Sequence, residues 1–176
     1  MIALHTDVSA TLHRLPDGTW QSWFEAYGRQ LLLFARQWAT SAAGAEDIVQ
    51  EAFVRFWRSP HRNDADAHLQ LFAMVRRAGL DQVRATTRRA RREHSVATDA
   101  ESPAWFEPST DDRDAAIQAA LRQLPTEQRE VVVLKIWGEL TFEQIARTLE
   151  IPANTAASRY RYALEALRRT LPSTVS

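Results

Sequence analysis

Apolar residues recur every three or four positions through most of this chain, the signature of amphipathic helices. Trp20, Phe24, Leu31, Phe34, Ala35 and Trp38 form one apolar side and predict a first helix from about Thr19 to Trp38. Thr40 to Gly44 reads as a turn. Ile48, Val49, Ala52, Phe53, Phe56 and Trp57 predict a second helix over roughly Ala45 to Arg58, ended by Ser59 and Pro60. Its opposite side carries Asp47, Gln50, Glu51, Val54 and Arg58. A third helix starts near Ala65 and continues to about Arg92. Leu71, Phe72, Val75, Ala78 and Val83 face inward there, while Arg77, Asp81, Arg84 and Arg88 share an outer line. Residues 1–18 lack such a pattern and read as a loosely attached tail. From Glu93 to about Asp112 the periodicity dissolves into Pro103, Pro108, hydroxyl residues and acids, the composition of a linker.

Helical spacing restarts at Ile117, Leu121 and Leu124. Pro125 cannot continue that helix, and Thr126 is a candidate N-cap for the next one, through Val132 and Leu134. The valines at 131–133 favour a strand, but the run is short and flanked by helix formers. Gly138 is the natural left-handed stop after Trp137. Thr141 with Gln144 makes a capping box, and Phe142, Ile145, Ala146 and Leu149 follow as a buried stripe. Pro152 blocks continuation, and Asn154 or Thr155 can cap the last helix. Two short helices, a tight turn and a longer helix bearing Ser158, Arg159 and Arg161 are the layout of a helix-turn-helix DNA reader. The fold class is therefore all-α, with two small helical domains at 19–92 and 113–172, a linker at 93–112, and tails at 1–18 and 173–176.

Composition changes this picture mainly through charge. The chain has 22 basic and 22 acidic residues, yet they are segregated. Arg76, Arg77, Arg84, Arg88, Arg89, Arg91 and Arg92 face a single acid, Asp81, between 70 and 92. The next segment, 93–114, is acidic. A phosphate backbone responds to the local patch, so a neutral sum does not exclude nucleic acid. Without Cys there is neither a disulfide framework nor a thiolate metal site, which fits a cytoplasmic protein. No apolar run is long enough to span a bilayer, and the N-terminus carries Asp7 without a signal-like apolar stretch. His5, His13, His61, His68 and His94 lack ligand spacing, and no Walker-type loop, GxGxxG or HExxH occurs. The reading is a non-enzyme with no cofactor and no metal.

Three segments in order carry a resemblance. AEDIVQEAFVRFW at 45–57, LFAMVRRAGLDQVR at 71–84, and LPTEQREVVVLK with LTFEQIARTLEIPANT further on resemble sigma factors of the extracytoplasmic-function (ECF) group. The match runs from about Trp20 to Leu171. It implies a factor that binds core RNA polymerase and directs it to promoter DNA. Asp47, Gln50, Glu51, Val54 and Arg58 would face the β′ clamp coiled coil, and the β flap would be a further polymerase contact. Arg76, Arg77, Leu80, Asp81, Arg84 and Arg88 would serve minus-ten recognition and melting. Asn154, Thr155, Ser158, Arg159, Arg161 and Tyr162 would read the minus-thirty-five element. Anti-sigma partners are common in the group, although no residue here identifies one.

Each role has a plainer alternative. The acidic ridge of the second helix also suits a solvated face on which Glu51 pairs with Arg55, worth about 0.3–0.5 kcal/mol. The arginine run also suits loose polyanion attraction, and Tyr160 suits core packing. The alternative function is a helix-turn-helix regulator that is not a polymerase subunit, though no dimerisation or sensing element is visible. The acidic linker could also fold back on the arginine run and mask it. The chain departs from the family where Glu150 replaces a usual Gly, Ala157 a frequent basic residue, Tyr162 a frequent Arg, and Arg77 a common Asn. A Trp often found near Gln70 is missing. Glu150 must either adopt a left-handed conformation, costing around 1 kcal/mol, or reshape its turn.

Overall fold

A computed structural model of the chain describes residues 19–92 and 112–171. The described residues form seven α-helices and a short 3-10 turn at Pro60–Asn63, with no strand among them. The first lobe holds α1 (Trp20–Ala35), α2 (Ala42–Trp57) and α3 (Ala67–Arg92). The second holds α4 (Asp112–Gln123), α5 (Thr126–Ile136), α6 (Phe142–Leu149) and α7 (Ala153–Thr170). The acidic linker, with the masking of the arginine run suggested for it, and both tails lie outside the described residues.

Side-chain caps fix several helix starts. Thr19 accepts a hydrogen bond from the Ser22 amide at 3.2 Å, and Ser41 accepts one from the Gly44 amide at 3.1 Å. The box at Thr141 and Gln144 forms in both directions. Elsewhere proline does the work assigned to neighbouring side chains. Thr126 is not a cap: Pro125 holds that position, and Gln128 and Arg129 donate to its carbonyl. Asn154 and Thr155 likewise lie inside the first turn of α7, because Pro152 is its cap residue. The fixed φ of proline sets the entry angle, and one helix turn then closes on the proline carbonyl.

Two other expectations change. Gly138 is not the left-handed residue; Glu139 is, with φ of 54°. A side chain at 138 would put its Cβ 2.6 Å from the Leu134 carbonyl oxygen, so glycine is needed there for close approach. The first helix ends at Ala35 rather than near Trp38. Gln37 and Trp38 donate to Phe34 and Ala35, tightening the last turn and folding the Trp38 ring back toward α3.

The first lobe encloses Leu31, Phe34, Ile48, Phe53, Phe56, Phe72 and Val75, all essentially inaccessible. Trp20 and Phe24 stay substantially exposed, and Trp23 and Tyr27 take the buried places instead. Val83 is 42% exposed rather than packed inward: at this level Gln82 and Ala85 are the residues of α3 that face α2. The larger difference lies between the lobes. One hydrophobic core runs from Trp23 and Phe72 through Val131, Leu134 and Ile145 to Ala156. The linker leaves the placement of the two lobes open from sequence; here they pack together, and α7 keeps an exposed face. Five consecutive residues of α5, Glu130 to Leu134, are buried. A helix buried all round is one that has packing partners on every side, which explains why three valines serve a helix here.

Gly79 on α3 lies under the Trp38 ring, where an added Cβ would come within 2.5 Å of the indole. Gly79→Ala is predicted to destabilise the chain by about 1–3 kcal/mol through overpacking. Urea unfolding measures it; an unchanged midpoint would mean that the indole moves aside freely.

Candidate nucleic-acid interface

The outer line of α3 forms as its spacing predicts: Arg77, Asp81, Arg84 and Arg88 are exposed. Arg84 pairs with Asp81 at 3.3 Å, and the Arg88 Nε donates to the Arg84 carbonyl. The six α3 residues do not make one patch, however. Leu80 is partly buried and packs against the core. Arg76 turns to the seam between the lobes and donates to the Glu130 carboxylate at 2.8 Å. Arg77 donates to Glu150 at 2.6 Å. Both arginines that lead the proposed minus-ten set thus meet carboxylates of the second lobe.

Asp81 has a second set of neighbours besides Arg84. It shares with Asp47 and Glu51 a cleft of about 360 Å³ between α2 and α3, whose floor is Ile48, Ala78 and Ala85. The α2 ridge itself stands as expected, with Asp47, Gln50, Glu51, Val54 and Arg58 all exposed. Glu51 pairs with Arg55 at 2.5 Å, so a partner cation there has a weak local competitor.

On α7, Asn154, Arg161 and Tyr162 are exposed, while Thr155, Ser158 and Arg159 are partly buried. Ser158 donates to the Thr155 carbonyl at 3.0 Å, leaving its oxygen lone pairs for a ligand. The Arg161 guanidinium sits 5.1 Å from the Tyr162 ring centroid, a cation–π contact at the surface. Tyr160 packs edge-on against Phe142 at 5.7 Å, which gives it the core role. The Glu130 and Arg147 contacts across the seam were not readable from periodicity, because a carboxylate beside three valines looks like the polar edge of an ordinary helix.

Glu150 takes the left-handed conformation, with φ of 58° and ψ of 46°. The turn between α6 and α7 therefore keeps the shape that glycine ordinarily supplies, at the strain cost expected for a residue with a Cβ. Among the described residues there is no cluster of three or more His, Asp or Glu that could hold a metal ion. No helix among them is long and apolar enough to cross a membrane.

Residues 23–89 match the family model described as Sigma-70 region 2, and residues 114–167 the model described as Sigma-70, region 4. The chain is 32% identical over 157 residues to the ECF RNA polymerase sigma factor SigL of Mycobacterium tuberculosis, covering 84% of this chain and 86% of that protein. It is 33% identical over 157 residues to the RNA polymerase sigma-E factor of Streptomyces avermitilis, covering 85% and 86%. The fold is similar to that of the sigma factor RpoE of Bartonella quintana, solved with the anti-sigma factor NepR. That likeness has a TM-score of 0.71 at 21% identity, over 88% of this chain and 98% of that one.

Glu130 dominates the electrostatics of the seam. It is 1% exposed, and burial holds its carboxyl above the ordinary glutamate range, with Arg76 opposing the shift. A carboxyl raised by folding favours the folded state when protonated. Its contribution is full below the ordinary value of 4.5 and is lost as pH rises through the raised one. In urea unfolding across that window, stability of the parent should fall with pH relative to Glu130→Gln. Parallel pH profiles for the two would mean that Glu130 is solvated.

Proposed function

Since this chain belongs to the sigma-70 family, in its ECF group, we propose that its two lobes share out polymerase docking, strand capture and duplex reading. The protein is a sigma factor: it binds core RNA polymerase and directs promoter-specific initiation. It works by placing the polymerase, without a reaction of its own, on the cytoplasmic side where that polymerase acts. The supporting observation is the order of exposed surfaces: an acidic ridge on α2, an arginine line on α3 and a basic, aromatic face on α7.

Asp47 and Glu51, with Asp81 across the cleft, present carboxylates over the apolar floor of Ile48 and Ala78. That combination suits a basic helix whose aliphatic stems reach the floor, and the β′ clamp coiled coil is the assigned occupant. Asp81 on this reading belongs to docking as much as to the minus-ten site. The arginine line neutralises phosphates and releases counterions, giving a log–log salt slope of about −0.7 per contact on a single strand. Unstacking bases costs a few kcal/mol, which capture of the opened strand along α3 offsets.

On α7, Asn154, Thr155, Ser158, Arg159, Arg161 and Tyr162 are assigned to the minus-thirty-five duplex. Arg161 supplies the guanine-reading geometry that Tyr162 cannot, and the Tyr162 ring braces it. The β flap is the assigned polymerase contact of this lobe. An anti-sigma protein is a further partner of the kind with which RpoE was solved.

Reconstitution with core polymerase and start-site mapping on a genomic fragment library tests the whole reading; a chain that binds DNA but never core would leave a free-standing regulator. Replacing both Asp47 and Glu51 by Lys should weaken assembly with core by about tenfold or more, measured by fluorescence anisotropy, with circular dichroism unchanged. Arg161→Ala should cost about 1–3 kcal/mol of upstream-element discrimination. Identical start-site choice in that variant would move the readout to another residue.

A further inference from the structure

The two halves of α3 differ in what surrounds them. From Ala67 to Gln82 the helix packs against its own lobe on one side, and Arg76 and Arg77 reach the second lobe. Ala85 is the furthest residue along α3 in the cleft shared with α2. From Val83 to Arg89 every residue is exposed, over about two turns of helix. Thr86, Thr87, Arg88 and Arg89 alone go round a full turn, so this end is open on every side.

The chemistry of that end is narrow. No acid follows Asp81 until Glu93, while Arg84, Arg88 and Arg89 are followed in sequence by Arg91 and Arg92. No Phe, Tyr, Trp or His occurs from Ala73 to Arg92. Unpaired bases are held by stacking on aromatic faces, and this segment has none to offer. Base edges are read by side-chain hydrogen bonds, but the Thr86 and Thr87 hydroxyls donate to the carbonyls of Gln82 and Val83. What remains are the guanidiniums. Arg84 gives one amino group to Asp81 at 3.3 Å, and Arg88 gives its Nε to the Arg84 carbonyl, so both keep donors for an oxyanion. Arg84 and Arg88 share a line, and Arg89 stands about 100° round the helix from Arg88. Cations that diverge in this way match the two phosphate rows bordering a groove of duplex DNA, whereas a single strand supplies one row.

We propose that the free end of α3 is a phosphate arm for double-stranded DNA: Arg84, Arg88 and Arg89 grip the duplex that borders the opened segment, whatever its sequence. Strand capture is then confined to the first half of the helix. The inference rests on the placement of α3 on promoter DNA. It changes the ligand of Arg84 and Arg88 from unpaired strand to base-paired backbone, and it adds Arg89.

The full chain is tested first on two labelled probes of mixed sequence, a duplex and one of its strands. Replacing Arg88 and Arg89 together by Ala should lower the log–log salt slope on the duplex by about 1.8, two contacts at about 0.9 each. The slope on the single strand should stay that of the parent. Equal drops on both probes, or no drop on the duplex, would overturn the arm. A loss seen on G·C-rich duplex alone would make these arginines guanine readers and overturn it equally. None of these measurements includes core polymerase, so assembly with core scores the sigma reading separately. In the holoenzyme, Thr87→Cys in this otherwise Cys-free chain carries a chelated-iron cleavage reagent, attached before assembly. Cuts are expected on both strands of the base-paired DNA beside the opened segment. Cuts confined to the unpaired strand would return this end of α3 to strand capture.

Discussion

A carboxylate with 1% exposure needs a cation, and for Glu130 that cation comes from the other lobe. An unpaired charge in such a place costs several kcal/mol, so while the carboxyl is ionised the favoured register is the one that brings Arg76 to it. The constraint reaches outward from there. Arg76 fixes the rotation of α3, which turns Arg77 toward the α6–α7 turn and leaves Arg84 and Arg88 facing solvent. It also fixes α5 as the central helix, enclosed by the first lobe on one side and α7 on the other. The pair adds little net stability, since desolvation offsets most of the attraction. Its effect is selection among packings, while the apolar contacts of Val131, Leu134 and Ile145 supply the driving force.

The rim obeys different physics. Surface ion pairs contribute about 0–1 kcal/mol each and are screened by salt, and Arg77–Glu150 and Arg147–Asp66 are of that kind. A buried centre gives the packed lobes their geometry, while the exposed rim pairs weaken with salt. Arg76 gives its Nε and Arg77 one amino group to a carboxylate of the second lobe, which leaves the other N–H groups of each guanidinium as donors.

Much of the chain was legible in its sequence wherever a residue's surroundings were set by its own helix. The α2 ridge, the outer line of α3 and the box at Thr141 follow from local spacing and capping, and Glu150 takes the first of the two conformations open to it. The failures share a cause: they depend on what another element does. Val83 has helical spacing but no neighbour to cover it, and Trp20 and Phe24 lie on the flank of an apolar side whose centre is Trp23 and Tyr27. Pro125 and Pro152 displaced the polar residues expected to cap α5 and α7, because a fixed φ ends the contest before a side chain can enter it. Of the candidate site, spacing put both sets on their helices but could not show that Arg76 meets Glu130 or that Asp81 shares a cleft with Asp47 and Glu51. Both sit where two helices face each other, and periodicity along a single helix carries no information about that.

The two sets proposed for DNA differ in their ties to the rest of the protein. Asn154, Arg161 and Tyr162 are open to solvent, and Arg77 is exposed too but pairs with Glu150, while Arg76 is partly buried on Glu130. On the proposed assignment, a duplex element meets α7 without any change between the lobes, whereas a separated strand along α3 gains the full Arg76 guanidinium only by displacing Glu130. Duplex is what an unmelted promoter offers, and single strand exists only after the polymerase has begun to open it. The acidic cleft of Asp47, Glu51 and Asp81 lies on α2 and α3, away from the Glu130 seam. A basic helix seated there interacts with the very element, α3, whose other face holds the lobes together. On the proposed assignment, polymerase docking and strand capture therefore share a single helix.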